Sequence, residues 1–195
     1  MKLALFDFDG TISNKDSFIQ FILYTHGEIK AILTMLMLSP WIALHQLGML
    51  PNGKLKEYTL TALYNGLEEE NFKKIAVEFA QNNLPKMIKA SALERVAWHK
   101  KRGHKVVIVS ASPEDYLKYW AGPQGIDVIA TKIEFKLGRV TGLLDGKNCY
   151  GEEKVRRLEE KYNLKDFEFI YAYGDTKGDR ALQKIANEFH YRSFK

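Results

Sequence analysis

"LALFDFDGTISNKDSF", Leu3 to Phe18, decides how this chain is read. It starts as an apolar run and ends in two aspartates, Asp7 and Asp9, with only Phe8 between them. Residues two apart on a strand point to the same face, so the two carboxylates lie side by side where an apolar segment stops. Two carboxylates that close resist ionising together. Something must offset the repulsion: a metal ion, a shared proton or a nearby cation.

Outward from this stretch the chain changes rhythm twice. Lys2–Phe8 reads as a strand with a buried face. From Asp16 to Asn83 the apolar spacing is helical, with Phe18, Phe21, Ile22 and Thr25 as one set and Leu60, Leu63 and Tyr64 as another. Phe72, Ile75, Ala76 and Phe79 continue it until Asn82, Asn83 and Pro85. Ile88–Arg102 is a further helix, with Leu93, Val96 and Ala97 on its apolar side and Gly103 as its stop. Strand–helix alternation then takes over. His104–Ser112 is a strand, and Pro113 opens a helix with Ser112 as its cap. Ile126–Thr131 is a strand, and the segment after it is a hairpin turning at Leu137–Gly138. Gly151–Tyr162 is an amphipathic helix with Val155, Leu158 and Tyr162 inward; Phe167–Asp175 is a strand and Lys177 to Asn187 a helix.

The alternation predicts an α/β fold, a Rossmann-like core with a parallel sheet and helices on both faces. An all-helical cap is inserted after the first strand, over the carboxyl edge where such sheets bind ligands. The expected boundaries are residues 1–11 and 85–195 for the core and 12–84 for the cap. A length of 195 residues suits one core plus a modest insertion.

Bulk properties narrow the function. The net charge is +5, but the 29 basic residues are scattered among 24 acidic ones, which speaks against a nucleic-acid stripe. Cys149 is the sole cysteine, so an intramolecular disulfide and a cysteine metal cage are both excluded. Met1–Lys2 runs straight into a strand with no signal pattern, and a cytoplasmic location is expected. Ala31–Gly53 carries no Asp, Glu, Lys or Arg, a length that suits a membrane span. Pro40, His45, Gln46 and Gly48 interrupt its second half. A buried helix pair bent at Ser39–Pro40 is therefore expected, with peripheral membrane contact through the cap as the alternative.

The expected carboxyl edge gathers polar groups from separate strands: Asp7 and Asp9, Ser110, then Asp175 with Asp179 four residues on. Singly, such residues are ordinary caps and turn formers. Together they suggest a site. The five histidines, His26, His45, His99, His104 and His190, are dispersed. Oxygen-only ligation by Asp7, Asp9 and Asp175 suits Mg²⁺, whose charge would also offset the opening repulsion.

Four segments in order carry a resemblance. "DFDGT" (Asp7–Thr11), "VVIVSAS" with Ser110, "GEEKVRRL" with Lys154 and "GDTKGD" (Gly174–Asp179) resemble the four motifs of the haloacid dehalogenase (HAD) superfamily. The helical insertion resembles the cap of its phosphoserine phosphatase-like branch, subfamily IB. "ATKIE" and the ending "GDTKGDRALQKIANEFHYRSF" are most similar to bacterial HAD-IB hydrolases of the phosphatidylglycerophosphatase C type.

The resemblance implies a Mg²⁺-dependent phosphatase. Asp7 would attack phosphorus to form an aspartyl-phosphate, and Asp9 would serve as acid and then base. An acid at that position favours phosphoryl transfer over dehalogenation. Asp7, the Asp9 carbonyl and Asp175 would hold the metal, with Asp179 in support. Ser110 would bond a phosphate oxygen, Lys154 would neutralise charge, and the backbone around Gly10 and Thr11 would complete the cradle. Lys132, just after a strand, competes with Lys154 for that role. Asp16 stands about where phosphoserine phosphatases place a substrate-binding acid, and it equally suits the cap of the helix it precedes. The implied substrate is a small or lipid-like phosphate ester. Transfer to an alcohol instead of water, or phospho-ligand binding without catalysis, are the alternatives.

Overall fold

The apolar run that opens the chain becomes β1 (Lys2–Phe6), the middle strand of a five-stranded parallel sheet in a computed structural model describing residues 1–194. Its neighbours are β2 (Lys105–Pro113) and β6 (Phe169–Gly174), with β3 (Asp127–Thr131) and β7 (Glu188–Tyr191) at the two edges. Leu5 of β1 faces Val107 on one side and Ala172 on the other. The strand's period of two divides the interior. Leu3 and Leu5 join Val107, Val109, Leu158 and Leu182 on one face, and Ala4 and Phe6 join the larger core on the other. The chain winds from β1 through β2 to β3, then crosses back to β6 and β7. The reversal leaves a crevice outside the carboxyl end of β1, the topological switch point of the sheet.

Between β1 and β2 run α1 (Ser17–Met37), α2 (Ser39–Gln46), α3 (Asn52–Tyr64), α4 (Glu69–Asn82) and α5 (Ala90–Lys101). Asp16 caps α1 by accepting from the Ile19 N–H at 2.9 Å. An aromatic cluster binds this helical block to the sheet layer. Phe21 lies 5.2 Å from Phe79, and Phe79 lies 5.2 Å from Tyr116 of α6 (Glu114–Ala121). Such ring pairs contribute about 0.5–1.5 kcal/mol each beyond the area they bury.

The antiparallel hairpin of β4 (Ile133–Lys136) and β5 (Arg139–Leu144) turns at Leu137–Gly138 as expected, both residues at positive φ. It stands apart from the main sheet and packs on the helical block. Phe135 meets Phe72 at 5.7 Å, and the Gly66 N–H donates to the Val140 carbonyl at 2.8 Å. Gly142 lies so close to α3 that a Cβ there would fall 2.4 Å from Thr61 Oγ1. The chain then forms α7 (Glu152–Lys161), β6, α8 (Arg180–Ile185) and β7.

Several expectations are corrected. β1 stops at Phe6 rather than Phe8, because the chain bends toward a left-handed Gly10. The helical stretch that begins after Asp16 is interrupted at Gly27, where φ is 73° and ψ 171°. α5 buries Ala92, Val96 and His99, whereas Leu93 and Ala97 are exposed. His99 turns the helix because its ring bonds Tyr173 and His104 in the interior. Ser112 does not cap α6, which has Pro113 at its N-cap and no side-chain bond there. The last helix is short, and the segment after it forms β7, a four-residue strand too brief to show a period. Asn187 pins that strand by exchanging bonds with Ile170 at 2.7 and 2.8 Å.

The largest correction concerns Ala31–Gly53. The helix pair does bend, by 64° at the break before Ser39, but it is not buried. Of its apolar side chains only Ala31 and Leu38 are enclosed, and α2 buries none. No single helix among the described residues is long and apolar enough to cross a membrane.

Candidate active site

The crevice at the end of β1 holds most of the residues singled out above. Asp7 continues the strand for one step, its N–H donating to the Tyr173 carbonyl at 2.9 Å, so its carboxylate emerges at the sheet's edge. α7 begins after Gly151 and turns Lys154 back into the same space. The Lys154 Nζ, 2% exposed, donates to Asp7 Oδ1 and to Asp179 Oδ1, both at 2.6 Å. Burial works against the ammonium charge, but the two carboxylates outweigh it and hold the lysine above its ordinary value. Lys132 is exposed and makes no such contact, so the geometry selects Lys154.

Asp179 is saturated. Its second oxygen accepts from the N–H groups of Asp175 (3.1 Å) and Thr176 (3.0 Å) and from the Thr176 hydroxyl (2.9 Å). Burial would raise its carboxyl, yet Lys154 and these donors leave it lowered. Asp7 differs: no protein donor among the described residues reaches its other oxygen. Burial pushes Asp7 up to about 8, with Lys154 pulling against the shift and Asp179 adding to it.

Asp175 is half-buried and raised by burial and by Asp179; it accepts from Thr11 Oγ1 at 3.3 Å. A Cβ on Gly10 would fall 2.2 Å from Asp175 Oδ2, and Gly10 has φ +79°, so only glycine lets this carboxylate approach the loop. Ligand oxygens of Asp7, Asp175 and Asp179 lie within 4.8 Å of one another. Hard oxygens converging this closely, with a free Asp7 oxygen and no histidine or cysteine among them, fit a magnesium-type cation. The Asp9 carboxylate is not one of the three.

Asp9 is held apart from Asp7 by its own partners. It accepts from the Ser17 N–H at 2.8 Å and from the Ser112 hydroxyl, which is in turn 3.0 Å from Ser17 Oγ. Tyr116, fully buried, places its hydroxyl 3.0 Å from Ser17 Oγ. Burial and the Asp16 charge push Asp9 up to about 6, opposed by these hydrogen bonds. Ser110 is buried on β2, where its Oγ accepts the Ser112 N–H at 3.0 Å. Asp16 is exposed, and its observed contact is the helix cap.

Three contributors escaped the sequence reading. Ser112 looked like a helix cap. Lys89 was not singled out, yet its Nζ donates to the Gly10 carbonyl at 2.5 Å and steadies the loop. Lys56 of α3 is buried and donates to the Ala111 carbonyl and to Asn148 Oδ1 (3.0 Å). Burial lowers Lys56 to about 8, partly countered by Asp9 and Asp16. Its signal was available: Lys56 shares the helical face of Leu60, Leu63 and Tyr64, which is buried.

A sheet-edge crevice lined by carboxylates and the buried Lys154 defines the class: an α/β protein with a polar catalytic-type site at its topological switch point. The chain belongs to the haloacid dehalogenase-like hydrolases, whose family model matches residues 4–184. It is 34% identical over 195 residues to protein CicA of Caulobacter vibrioides, covering 99% of this chain and 86% of that one. It is 30% identical over 123 residues to the probable phosphatase Rv3661 of Mycobacterium tuberculosis, covering 62% and 42%. Among solved structures, a phospho-aspartyl intermediate analogue of phosphoserine phosphatase superposes with a TM-score of 0.68 at 21% identity, covering 96% of this chain and 84% of that one. That likeness concerns the fold.

Proposed function

We propose that this hydrolase is a metal-dependent phosphomonoesterase working through an aspartyl-phosphate on Asp7. The observation that carries the reading is the Lys154 ammonium bridging Asp7 and Asp179 while one Asp7 oxygen is left without a donor among the described residues. That oxygen is the nucleophile: it bonds to phosphorus as the ester P–O bond breaks. Asp9, two residues on, gives its proton to the leaving alkoxide oxygen. In the second half the Asp9 carboxylate takes a proton from water, whose oxygen attacks phosphorus and releases Asp7 and inorganic phosphate. Splitting the hydrolysis this way replaces one difficult displacement with two easier ones. Lys154, fixed by Asp179, balances the charge collecting on Asp7 and the phosphoryl oxygens. Ser110 and the Gly10–Thr11 backbone complete the phosphate cradle, and Lys56 adds a cation on the helical side. Mg²⁺ on Asp7, the Asp9 carbonyl and Asp175, with Asp179 bracing the loop, would supply positive charge for binding a phosphate dianion beside a carboxylate.

Within the family, the helical insertion directly after β1 supports a place in subfamily IB, near phosphoserine phosphatase-like and phosphatidylglycerophosphatase C-type enzymes. The substrate in this reading is a small or lipid-like phosphate ester rather than a nucleic acid, in the cytoplasm. The test is turnover of p-nitrophenyl phosphate with Mg²⁺, with mass analysis of acid-quenched protein. Wild type should turn over and carry one phosphoryl group on the peptide containing Asp7. Chelation with EDTA should abolish turnover, and Asp7→Asn should lower it by at least about a thousandfold. Turnover by Asp7→Asn at the wild-type rate removes the covalent mechanism.

A further inference from the structure

Asp9 stands at the end of a line of buried hydroxyls whose far member, Tyr116, the proposed chemistry does not use. Its Oδ1 accepts from the Ser17 N–H at 2.8 Å and faces the Ser13 hydroxyl at 3.5 Å. Its Oδ2 accepts from the Ser112 hydroxyl. Ser17 Oγ lies 3.0 Å from Ser112 Oγ and 3.0 Å from the Tyr116 hydroxyl. Ser17 and Tyr116 are 0% exposed and Ser112 is 3% exposed, so water does not compete for these bonds. The Tyr116 ring packs against Phe21 and Phe79, both at 5.2 Å. A phenylalanine would make the same ring contacts with no polar atom to satisfy, so packing does not account for the hydroxyl.

Proton counting gives the line a direction. A carboxylate only accepts, and each hydroxyl has one proton to give. Ser112 gives its proton to Asp9, and Ser17 gives its own to Ser112. Both serines act on Tyr116, and toward it they have only lone pairs left. Tyr116 is therefore the donor, and every proton in the cluster points toward the carboxylate. Burial, reinforced by the Asp9 charge, raises the Tyr116 phenol well above its ordinary value, which keeps that first proton in place. Ser17 opens α1 in the helical block, whereas Ser112 and Tyr116 belong to β2 and α6, so the line is complete only where that block meets the sheet layer.

The direction decides where Asp9 can hold a proton. Ser112 cannot accept from Oδ2 while it donates to it, and the N–H on Oδ1 never accepts. A proton on Asp9 is left to the lone pairs that these donors do not take. We propose that Ser17 and Tyr116 are positioning residues: acting through Ser112, they keep the Asp9 proton off the serine side and free for the departing oxygen. The inference rests on the reading of Asp9 as the acid. In that step the ester oxygen takes the Asp9 proton as its bond to phosphorus breaks and the Asp7 oxygen bonds to phosphorus. Placement of the proton matters most for a basic leaving oxygen, which departs poorly without one.

The test compares phenyl phosphate with p-nitrophenyl phosphate, which present the same ring and differ in how readily the oxygen leaves unprotonated. The measured quantity is kcat/KM, which covers the steps up to release of the phenol. Tyr116→Phe and Ser17→Ala should each slow the phenyl ester more, raising the preference for the p-nitrophenyl ester at least about fivefold over wild type. Tyr116→Phe/Ser17→Ala removes both ends of their bond and orphans no buried hydroxyl, so it should show the same shift even where a single variant folds poorly. A merely structural role slows both esters alike. A preference that stays at the wild-type value in the double variant overturns the proposal, and the proposed function stands if wild type turns over both esters. Wild type that turns over neither removes the acid role of Asp9 and this inference with it.

Discussion

Asp7 and Asp9 begin as equivalent carboxylates on one strand end, and their neighbours make them different. Asp7 faces a buried lysine and leaves one oxygen without a donor among the described residues, whereas Asp9 is enclosed by Ser17 and Ser112, backed by Tyr116. Hydrogen bonds of this kind orient a carboxylate more than they stabilise the fold, since each contributes only about 1 kcal/mol net. Ser112→Ala should therefore leave the denaturation midpoint nearly unchanged and lower kcat by about ten- to a hundredfold, with KM little altered. Steady-state kinetics on a soluble phosphate ester checks it. An unchanged kcat would mean that Asp9 is held well enough by the Ser17 N–H and the Ser13 hydroxyl. Both aspartates were legible in the sequence because their spacing is local. Ser112 was not, because its role depends on a contact 103 residues away.

At the scale of elements, the helical block is joined to the hairpin as well as to the sheet. Gly142 allows β5 to touch the backbone of α3, and the Glu69 N–H donates to the Gly138 carbonyl at 2.8 Å. A side chain at 142 would meet Thr61 Cα at 2.5 Å on a backbone with φ +83°. Overpacking and left-handed strain each cost about 1–3 kcal/mol. Gly142→Val should thus destabilise by about 2–6 kcal/mol in urea denaturation; a loss below about 1 kcal/mol would show that the hairpin can lift from α3 freely. Strand and helix types were read correctly wherever the period ran for several residues. On α5 Val96 was read correctly as inward but Leu93 and Ala97 were not, because the buried face runs through Ala92 and the histidine His99, and β7 was missed because four residues show no period.

Across the whole molecule, folding also sets a pH response away from the catalytic crevice. His99 is fully buried, with Nε2 2.9 Å from the Tyr173 hydroxyl and Nδ1 2.8 Å from His104 Nδ1. Burial, with smaller contributions from His104 and Arg95, pushes it down to about 3. Above the ordinary value of 6.5 both folded and unfolded chains hold this ring neutral. Below 6.5 the unfolded chain takes a proton that the folded chain refuses until about 3, so the stability tied to His99 is lost across that window. His99→Gln lacks this titration. The stability of wild type relative to the variant should fall as pH drops from 7.5 toward 4.5, measured by urea denaturation at each pH. A constant difference would show that His99 does not govern this window.

The sequence by itself determined the α/β rhythm, the insertion after the first strand and the residues that carry charge at the strand ends. Periodicity and motif order are properties of neighbours along the chain. Only the tertiary structure decided that Lys154 rather than Lys132 reaches Asp7, that Lys56 and Ser112 turn toward the crevice, and that residues 31–53 face outward. A run without charges says that a segment can be buried. Whether it is buried depends on whether other elements pack over it, and here they cover only Ala31 and Leu38. The two aspartates mark the candidate site from their own spacing, while the exposed apolar surface is defined by what the rest of the fold leaves uncovered.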